Sequence, residues 1–201
     1  MRLSKLGASG GLNLMWDQFA ADLGGKHFGK SDADVILTPD WEGLAPPDAD
    51  TVVIARRGVD LNPLEQKDTA DQLRLRAYRW PSQPDRMAHT VAVIDAFDAQ
   101  VDQADAIDWL ADQMAYITGQ THLVFHTIAW QYLPAYVQAH GTTLIAAAGA
   151  KATDHCPLAW FGMEPDGQSF SAAMTLRIWP SDITIDLGCA DFHGRWVQWK
   201  G

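Results

Sequence analysis

RLSKLGASGGLNLMWDQF, residues 2–19, is the stretch that decides the fold. Residues 2–6 are short and alternating, which predicts a β-strand. The glycine-rich run at residues 7–11 lets the backbone turn tightly and approach a ligand closely. Beyond it, apolar side chains recur at helical spacing from Leu12 to Phe19, so a helix is predicted to start near Gly11. The N-terminus of such a helix offers free N–H groups to a ligand.

Downstream, predicted strands alternate with predicted helices until the last third of the chain, where strands follow one another directly. Strands are predicted at residues 35–38, 51–59, 100–104, 121–128, 158–163, 172–179, 183–187 and 195–199. Helices are predicted at residues 68–78, 84–97, 108–117 and 133–140, and a break at 80–84 separates the first helix from the second. Residues 141–147 fit either a strand or a continuation of the last helix. This order predicts an α/β, Rossmann-like fold: a mainly parallel sheet flanked by helices, with a C-terminal antiparallel β-hairpin.

Length and charge limit the remaining possibilities. The 201 residues fit one domain, 1–201, with a turn-rich insertion at about 26–50. A net charge of −10 argues against nucleic acid as a partner, because phosphate binding requires clustered Lys and Arg. No apolar run is long enough for a membrane span, and no signal peptide precedes the first strand, so a cytoplasmic location is expected. Two cysteines without paired spacing predict neither a disulfide framework nor a metal site.

Three known motifs are candidates for the glycine turn, and the alternative is a turn that binds no ligand. A phosphate-binding Walker loop is rejected because no Lys follows Gly11. The dinucleotide fingerprint fits poorly, since Leu12 stands where its third glycine belongs. The nucleophile elbow of serine hydrolases matches letter for letter around Ser9, although only six residues precede Gly7 and the earlier strands of that fold are missing. Its triad partners would be His155 or His193 with Asp154, Asp186 or Asp191.

Two acidic residues follow predicted strands of the core. Asp60 comes at the end of the second core strand, where a carboxylate can accept both hydroxyls of a ribose. Asp105, followed by Ala106, comes where the third strand meets a helix and can accept from an adenine amino group. A turn-forming role for Asp60 and a helix-capping role for Asp105 are the alternatives.

A polar and aromatic run, residues 125–132, follows the core of the best predicted strand. His126 lies where cofactor and substrate would meet in an open α/β sheet, and it can act as a base or orient a substrate. The alternative is a buried, hydrogen-bonded histidine without a catalytic role.

Taken in order, these segments resemble the class I S-adenosylmethionine-dependent methyltransferases. More closely, the chain resembles a bacterial family known as domain of unknown function 2332, which has no established activity. The phrases that carry this resemblance are GASGGLNL (7–14), RGVDLNPL (57–64), LRLRAYRWP (73–81), HTIAWQYLP (126–134) and HGRWV (193–197). Two features differ from the pattern: methyltransferases usually have an acid where this chain has Lys5, and the family's helical region before the first strand is expected to be absent here.

The resemblance implies an S-adenosylmethionine site and a small-molecule methyl acceptor. The methionine end of the cofactor would lie against Gly7, Ala8, Ser9, Gly11 and Asn13, the ribose against Asp60 and Leu61, and the adenine against Asp105 and Ala106. The acceptor would lie against Trp130, Gln131 and Tyr132, with His126 and Tyr132 as catalytic residues and His126 also touching the cofactor. A serine hydrolase using Ser9 and an inactive cofactor-binding scaffold are the alternatives; the sequence leaves the oligomeric state open.

Overall fold

The computed structural model describes residues 1–77, 84–168 and 170–201, without the side chains of residues 76 and 84–87. The strands are β1 (Arg2–Leu6), β2 (Ala20–Leu23), β3 (Lys26–Phe28), β4 (Ile36–Leu37), β5 (Asp40–Glu42), β6 (Ala55–Asp60), β7 (Gln100–Gln103), β8 (His122–Thr127), β9 (Leu158–Pro165), β10 (Ala172–Trp179), β11 (Ile183–Ala190) and β12 (Trp196–Trp199). The α-helices are α1 (Thr69–Ala77), α2 (Pro84–Asp95), α3 (Ala106–Gln113) and α4 (Ala135–Gly149), and two 3-10 helices span Leu12–Gln18 and Trp130–Tyr132.

Within the described residues, nine strands form one large sheet in the order β5-β12-β11-β10-β9-β8-β1-β6-β7. The five strands β9, β8, β1, β6 and β7 are parallel to one another. β10, β11 and β12 continue the sheet as antiparallel strands, and β5 closes its far edge in parallel with β12. The predicted α/β fold with a mostly parallel sheet and a C-terminal antiparallel pair is therefore confirmed.

Both faces of the parallel strands are covered. On one face, α3 and α4 bury Leu110 and Ile145 against Val124 of β8. On the other face, Leu14 of the first 3-10 helix packs with Leu3 and Phe125. Strands buried on both sides are what an all-parallel stretch requires, and they explain the apolar run of β8. No helix among the described residues is both long and apolar enough to cross a membrane.

Several element boundaries differ from the sequence-based expectation. The segment after Gly11 forms a 3-10 helix rather than an α-helix. The strand predicted from residue 51 begins at Ala55, opposite Arg2, where its ladder with β1 begins. The ambiguous residues 141–147 continue α4 as a helix. The predicted break at 80–84 lies largely outside the described residues, as do residues 78–81 of the family phrase.

Short strands were missed where the chain looks turn-rich. β2 and β3 form a hairpin around Gly24 and Gly25, both of which have positive φ, as a two-residue turn between strands demands. β4 lies within the strand predicted at residues 35–38 and joins the same three-stranded sheet. The stretch 26–50 thus contains three short strands, one of which extends the large sheet.

Candidate functional site

A cavity of about 380 Å³ lies where the parallel strands β1, β6, β7 and β8 end. The register brings these ends together, because Leu6 pairs with Val59 on one side and with His126 on the other, and Asp60 pairs with Gln103. Within the sheet, β6 lies next to β1 on one side and β8 lies next to it on the other, so the direction in which the chain adds strands reverses at β1. Ligands of open α/β sheets bind at such a reversal, beyond the carboxyl ends of the strands.

The glycine turn forms one wall of this cavity. Gly7, Ser9 and Gly11 all have φ between 51° and 69°. A Cβ on Gly7 would lie 2.5 Å from the Cβ of Ala129, so only glycine allows the loop after β8 to approach this closely. The turn is also tied to β6, since the amide of Ala8 donates to the carbonyl of Val59 over 2.9 Å.

Asp60 fixes the turn from the neighbouring strand. Its Oδ2 accepts the Ser9 amide at 2.7 Å, and its Oδ1 accepts the Asn62 amide at 2.9 Å. The turn-forming reading of Asp60 is therefore confirmed. Each carboxylate oxygen has two lone pairs, so one acceptor position on each oxygen remains for a ligand.

Asp105 caps helix α3. Its Oδ1 accepts the amides of Ile107 at 2.9 Å and Asp108 at 3.2 Å, which confirms the capping reading and explains why the helix begins at Ala106. Asp105 and Ala106 both line the cavity. Capping uses one carboxylate oxygen, so the other is free to accept from a ligand.

The loop after β8 closes the cavity and is held by Glu164 of β9. Its Oε1 accepts the amides of Ala129 at 3.0 Å and Trp130 at 2.9 Å, and Oε2 accepts the Gln131 amide at 3.3 Å. Oε1 also lies 2.7 Å from Nδ1 of His126. Burial alone would raise the pKa of the Glu164 carboxyl, but the hydrogen bonds from His126, Ala129 and Trp130 outweigh it and lower the pKa below its usual value.

Glu164 was missed at the level of sequence. It lies 38 positions after His126, outside any local motif. An available signal was the isolated acid within the strand at 158–165, because a carboxylate in an otherwise apolar strand needs a partner.

The structure brings together most of the residues singled out in the sequence. Those lining the cavity are Gly7, Ser9, Asp60, Leu61, Asp105, Ala106, Trp130 and Tyr132. Ala8 and Gly11 are buried in the turn, while Asn13 and Gln131 are exposed and outside the cavity lining. The lining also includes Leu6, Val59, Ala104, Ile128, Ala129 and Leu133, which carry no chemical signal in the sequence.

His126 lies elsewhere. It lines a second cavity, also of about 380 Å³. Among the described residues, Trp130 is the one that lines both cavities. The imidazole is 4 % exposed and stacks on the Trp130 ring with centroids 4.9 Å apart.

The predicted hydrolase partners of Ser9 lie away from it. Asp154 and His155 precede β9 at the opposite end of the sheet from Ser9, and His193 lies in the turn before β12. Asp191 is paired with Arg195, and Asp186 with Lys200. None of the five lines the cavity that Ser9 borders.

The charges around the first cavity are acidic. Asp60 and Asp105 are its charged lining groups in the described part of the chain, which contributes no Lys or Arg to the lining. Lys5 is buried nearby, where Nζ donates to Oγ1 of Thr127 at 3.0 Å and lies 5.1 Å from the Phe125 ring centroid. Burial lowers the pKa of Lys5 to about 8, a fall that the charges of Glu164 and Asp60 limit.

Comparison with known proteins gives a match to a protein family. A search of curated proteins found no significant match, and neither did a search of solved structures. A family model covers residues 1–199, nearly the whole chain. The protein belongs to the family described as uncharacterized protein conserved in bacteria (DUF2332).

Proposed function

We propose that the first cavity binds S-adenosylmethionine and that the chain is a Rossmann-like methyltransferase acting on a small molecule. The parallel strands follow the order β7-β6-β1-β8-β9, which, numbered along the chain, is the 3-2-1-4-5 order of doubly wound nucleotide-binding sheets. The cavity lies at the reversal point of that order.

The observation that carries the proposal is the lining of this cavity: two carboxylates, mostly apolar walls, and no cation among the described lining residues. Carboxylates accept hydrogen bonds from hydroxyl and amino groups and repel phosphates. The site therefore favours a nucleoside with a positively charged tail over a nucleotide. S-adenosylmethionine has ribose hydroxyls, an adenine amino group and a sulfonium centre, and it fits these groups.

Each part of the cofactor contacts a different group of residues. Asp60 accepts hydrogen bonds from the ribose hydroxyls through the lone pairs that the Ser9 and Asn62 amides leave unused. Leu61 lies beside the ribose. Asp105 accepts a hydrogen bond from the adenine amino group through the carboxylate oxygen that does not cap α3. Gly7 and Ser9 leave room for the methionine end, and Trp130 and Tyr132 face the acceptor.

When bound, the cofactor supplies an electrophilic methyl group. The protein's own contribution is to position two reactants and exclude water, which is sufficient for methyl transfer. The loop from Ile128 to Leu133, fixed by Glu164, is the element that separates the cofactor from the second cavity.

The test is calorimetric titration with S-adenosylhomocysteine. Micromolar binding is expected for the unaltered chain. Asp60→Ala removes a charged acceptor of hydrogen bonds, worth about 1.5–3 kcal/mol, so affinity should fall roughly 10- to 100-fold. Asp112→Ala removes the same charge from an exposed position of α3 and should leave binding unchanged.

A second titration compares adenosine with adenosine monophosphate. The acidic lining predicts weaker binding of the phosphorylated nucleoside, with the gap narrowing as salt screens the charges. Failure of S-adenosylhomocysteine to bind, or equal binding by Asp60→Ala and Asp112→Ala, would refute the proposal.

A further inference from the structure

The loop that follows β8 leaves the strand through a strained residue. Ile128 has a φ of 51°, in the left-handed region that favours glycine. A β-branched side chain is an outlier there, because its Cβ crowds the following carbonyl oxygen. Such a conformation persists only when the surrounding structure holds it in place. Residues 128–131 therefore need an anchor.

Glu164 supplies that anchor. Its carboxylate accepts the amides of Ala129, Trp130 and Gln131 at 3.0, 2.9 and 3.3 Å. Nδ1 of His126 lies 2.7 Å from Oε1 of the same carboxylate. Successive amides beside a left-handed residue form a concavity that binds anions, and here the anion is the protein's own side chain. The negative charge strengthens each of these hydrogen bonds.

The anchor belongs to a rigid part of the sheet. Glu164 lies near the end of β9, which pairs with β10 on one side and with β8 on the other. Its side chain is 20 % exposed, so water competes little for its oxygens. Gln138 of α4 fastens the same loop, since its Nε2 donates to the carbonyls of Trp130 and Leu133 at 3.1 and 2.9 Å. Side chains on strands and helices hold a site more precisely than side chains on loops.

The anchored loop is a wall of the first cavity. Ile128, Ala129 and Trp130 all line that cavity. Ala129 also packs on the glycine turn, since a Cβ added to Gly7 would lie 2.5 Å from the Cβ of Ala129. A shift of the loop therefore changes two walls of the cavity together, the loop itself and the glycine turn beside it.

We propose that Glu164 is a positioning residue for the ligand of the first cavity and that it acts by holding residues 128–131 in the strained conformation that shapes this wall. Glu164 is not part of the cavity lining, so its effect on the ligand passes through the loop. Without the anchor the loop relaxes, and the binding-competent cavity is populated for a smaller fraction of the time. The inference rests on the proposed function, because its test uses the proposed cofactor site.

The first measurement is the dissociation constant of S-adenosylhomocysteine, by calorimetry well below the Tm of every variant. Glu164→Gln keeps the shape of the side chain but loses its charge and one acceptor oxygen. A loop that holds its position about a tenth of the time binds about tenfold more weakly, and this is the loss expected.

Gly149→Ala is the matched control. Gly149 ends α4, at the opposite end of the helix from the loop, and a Cβ there would lie 2.3 Å from Cδ2 of Trp179. The change therefore lowers the Tm without touching the loop. Its affinity for S-adenosylhomocysteine should equal that of the unaltered chain.

Two replacements of Ile128 separate positioning from general support of the fold. Ile128→Ala and Ile128→Gly both remove the side chain, but only glycine adopts this φ without strain, so the glycine variant should have the higher Tm by about 2–4 °C. In the alanine background the strained loop still needs its anchor, and Glu164→Gln should again cost about tenfold in affinity. In the glycine background the loop keeps its shape more readily, and the loss should fall to about threefold or less. A residue that only stabilises the fold would give the same loss in both backgrounds.

Unchanged affinity in Glu164→Gln would overturn the proposal, as would an equal loss in Gly149→Ala or equal losses in the two Ile128 backgrounds. If Glu164→Gln does not fold, Gln138→Ala removes the other fastening of the loop and should show the same dependence on the Ile128 background. Absence of binding by the unaltered chain would refute the proposed function together with this inference, whereas binding that Glu164→Gln retains in full would refute the inference alone.

Discussion

Replacing Glu164 with Gln tests the network that holds the loop after β8. Three donors converge on Oε1: the amides of Ala129 and Trp130 and Nδ1 of His126, at 2.7–3.0 Å. A hydrogen bond to a charged group contributes about 1.5–3 kcal/mol and a neutral one about 1 kcal/mol. Losing the charge should weaken each bond by about 1 kcal/mol, and partial exposure and non-additivity reduce the sum to about 2 kcal/mol.

The assay is equilibrium unfolding in urea at pH 7, with thermal unfolding beside it. For a chain of this length, 2 kcal/mol corresponds to a fall in Tm of about 4–8 °C. Glu65→Gln is the matched control, since Glu65 is exposed and the same change there should cost about 0.5 kcal/mol or less.

Acidification gives a second readout with a defined sign. The folded-state pKa of Glu164 lies below its ordinary value of 4.5. The stability it contributes is therefore present above that value and is lost as the pH falls through the folded-state pKa. The gap between the unaltered protein and Glu164→Gln should shrink over that range. A gap equal to that of Glu65→Gln at pH 7, or one that does not shrink on acidification, would refute the reasoning.

Two further predictions concern buried groups. Burial lowers the pKa of Lys5 from 10.5 to about 8. Between these two pH values the unfolded chain binds more protons than the folded protein, so the free energy of unfolding rises with pH. Relative to Lys5→Met, the unaltered protein should gain about 3 kcal/mol of stability over this range, measured by urea unfolding at several pH values. A Cβ on Gly149 would lie 2.3 Å from Cδ2 of the buried Trp179, so Gly149→Ala should destabilise by about 1–3 kcal/mol, whereas Ala147→Ser on the exposed side of the same helix should cost less than about 0.5 kcal/mol. Equal Tm values for the two α4 variants, or no pH-dependent gain for Lys5 over Lys5→Met, would contradict these expectations.

Interactions between residues close in the chain leave a signal in the sequence, whereas contacts between distant strands do not. The hairpin at Gly24–Gly25 has a local signal, two adjacent glycines, from which the sequence analysis predicted no hairpin. By contrast, the pairing of β5 with β12 joins Asp40 to Trp196, and no local pattern specifies it. The contact of Glu164 with His126 is of the same kind, because it depends on two strands lying side by side.

By itself the sequence determined the alternation of strands and helices, the glycine turn and the acids at the strand ends. These are set by backbone sterics, side-chain periodicity and local hydrogen bonding, as when Asp68 and Asp105 cap their helices. Only the tertiary structure decided which predicted site residues line a cavity, and that these divide between two cavities, with His126 in the second. That division depends on the order and register of strands far apart in the chain, which the packing of both sheet faces fixes and no short segment encodes.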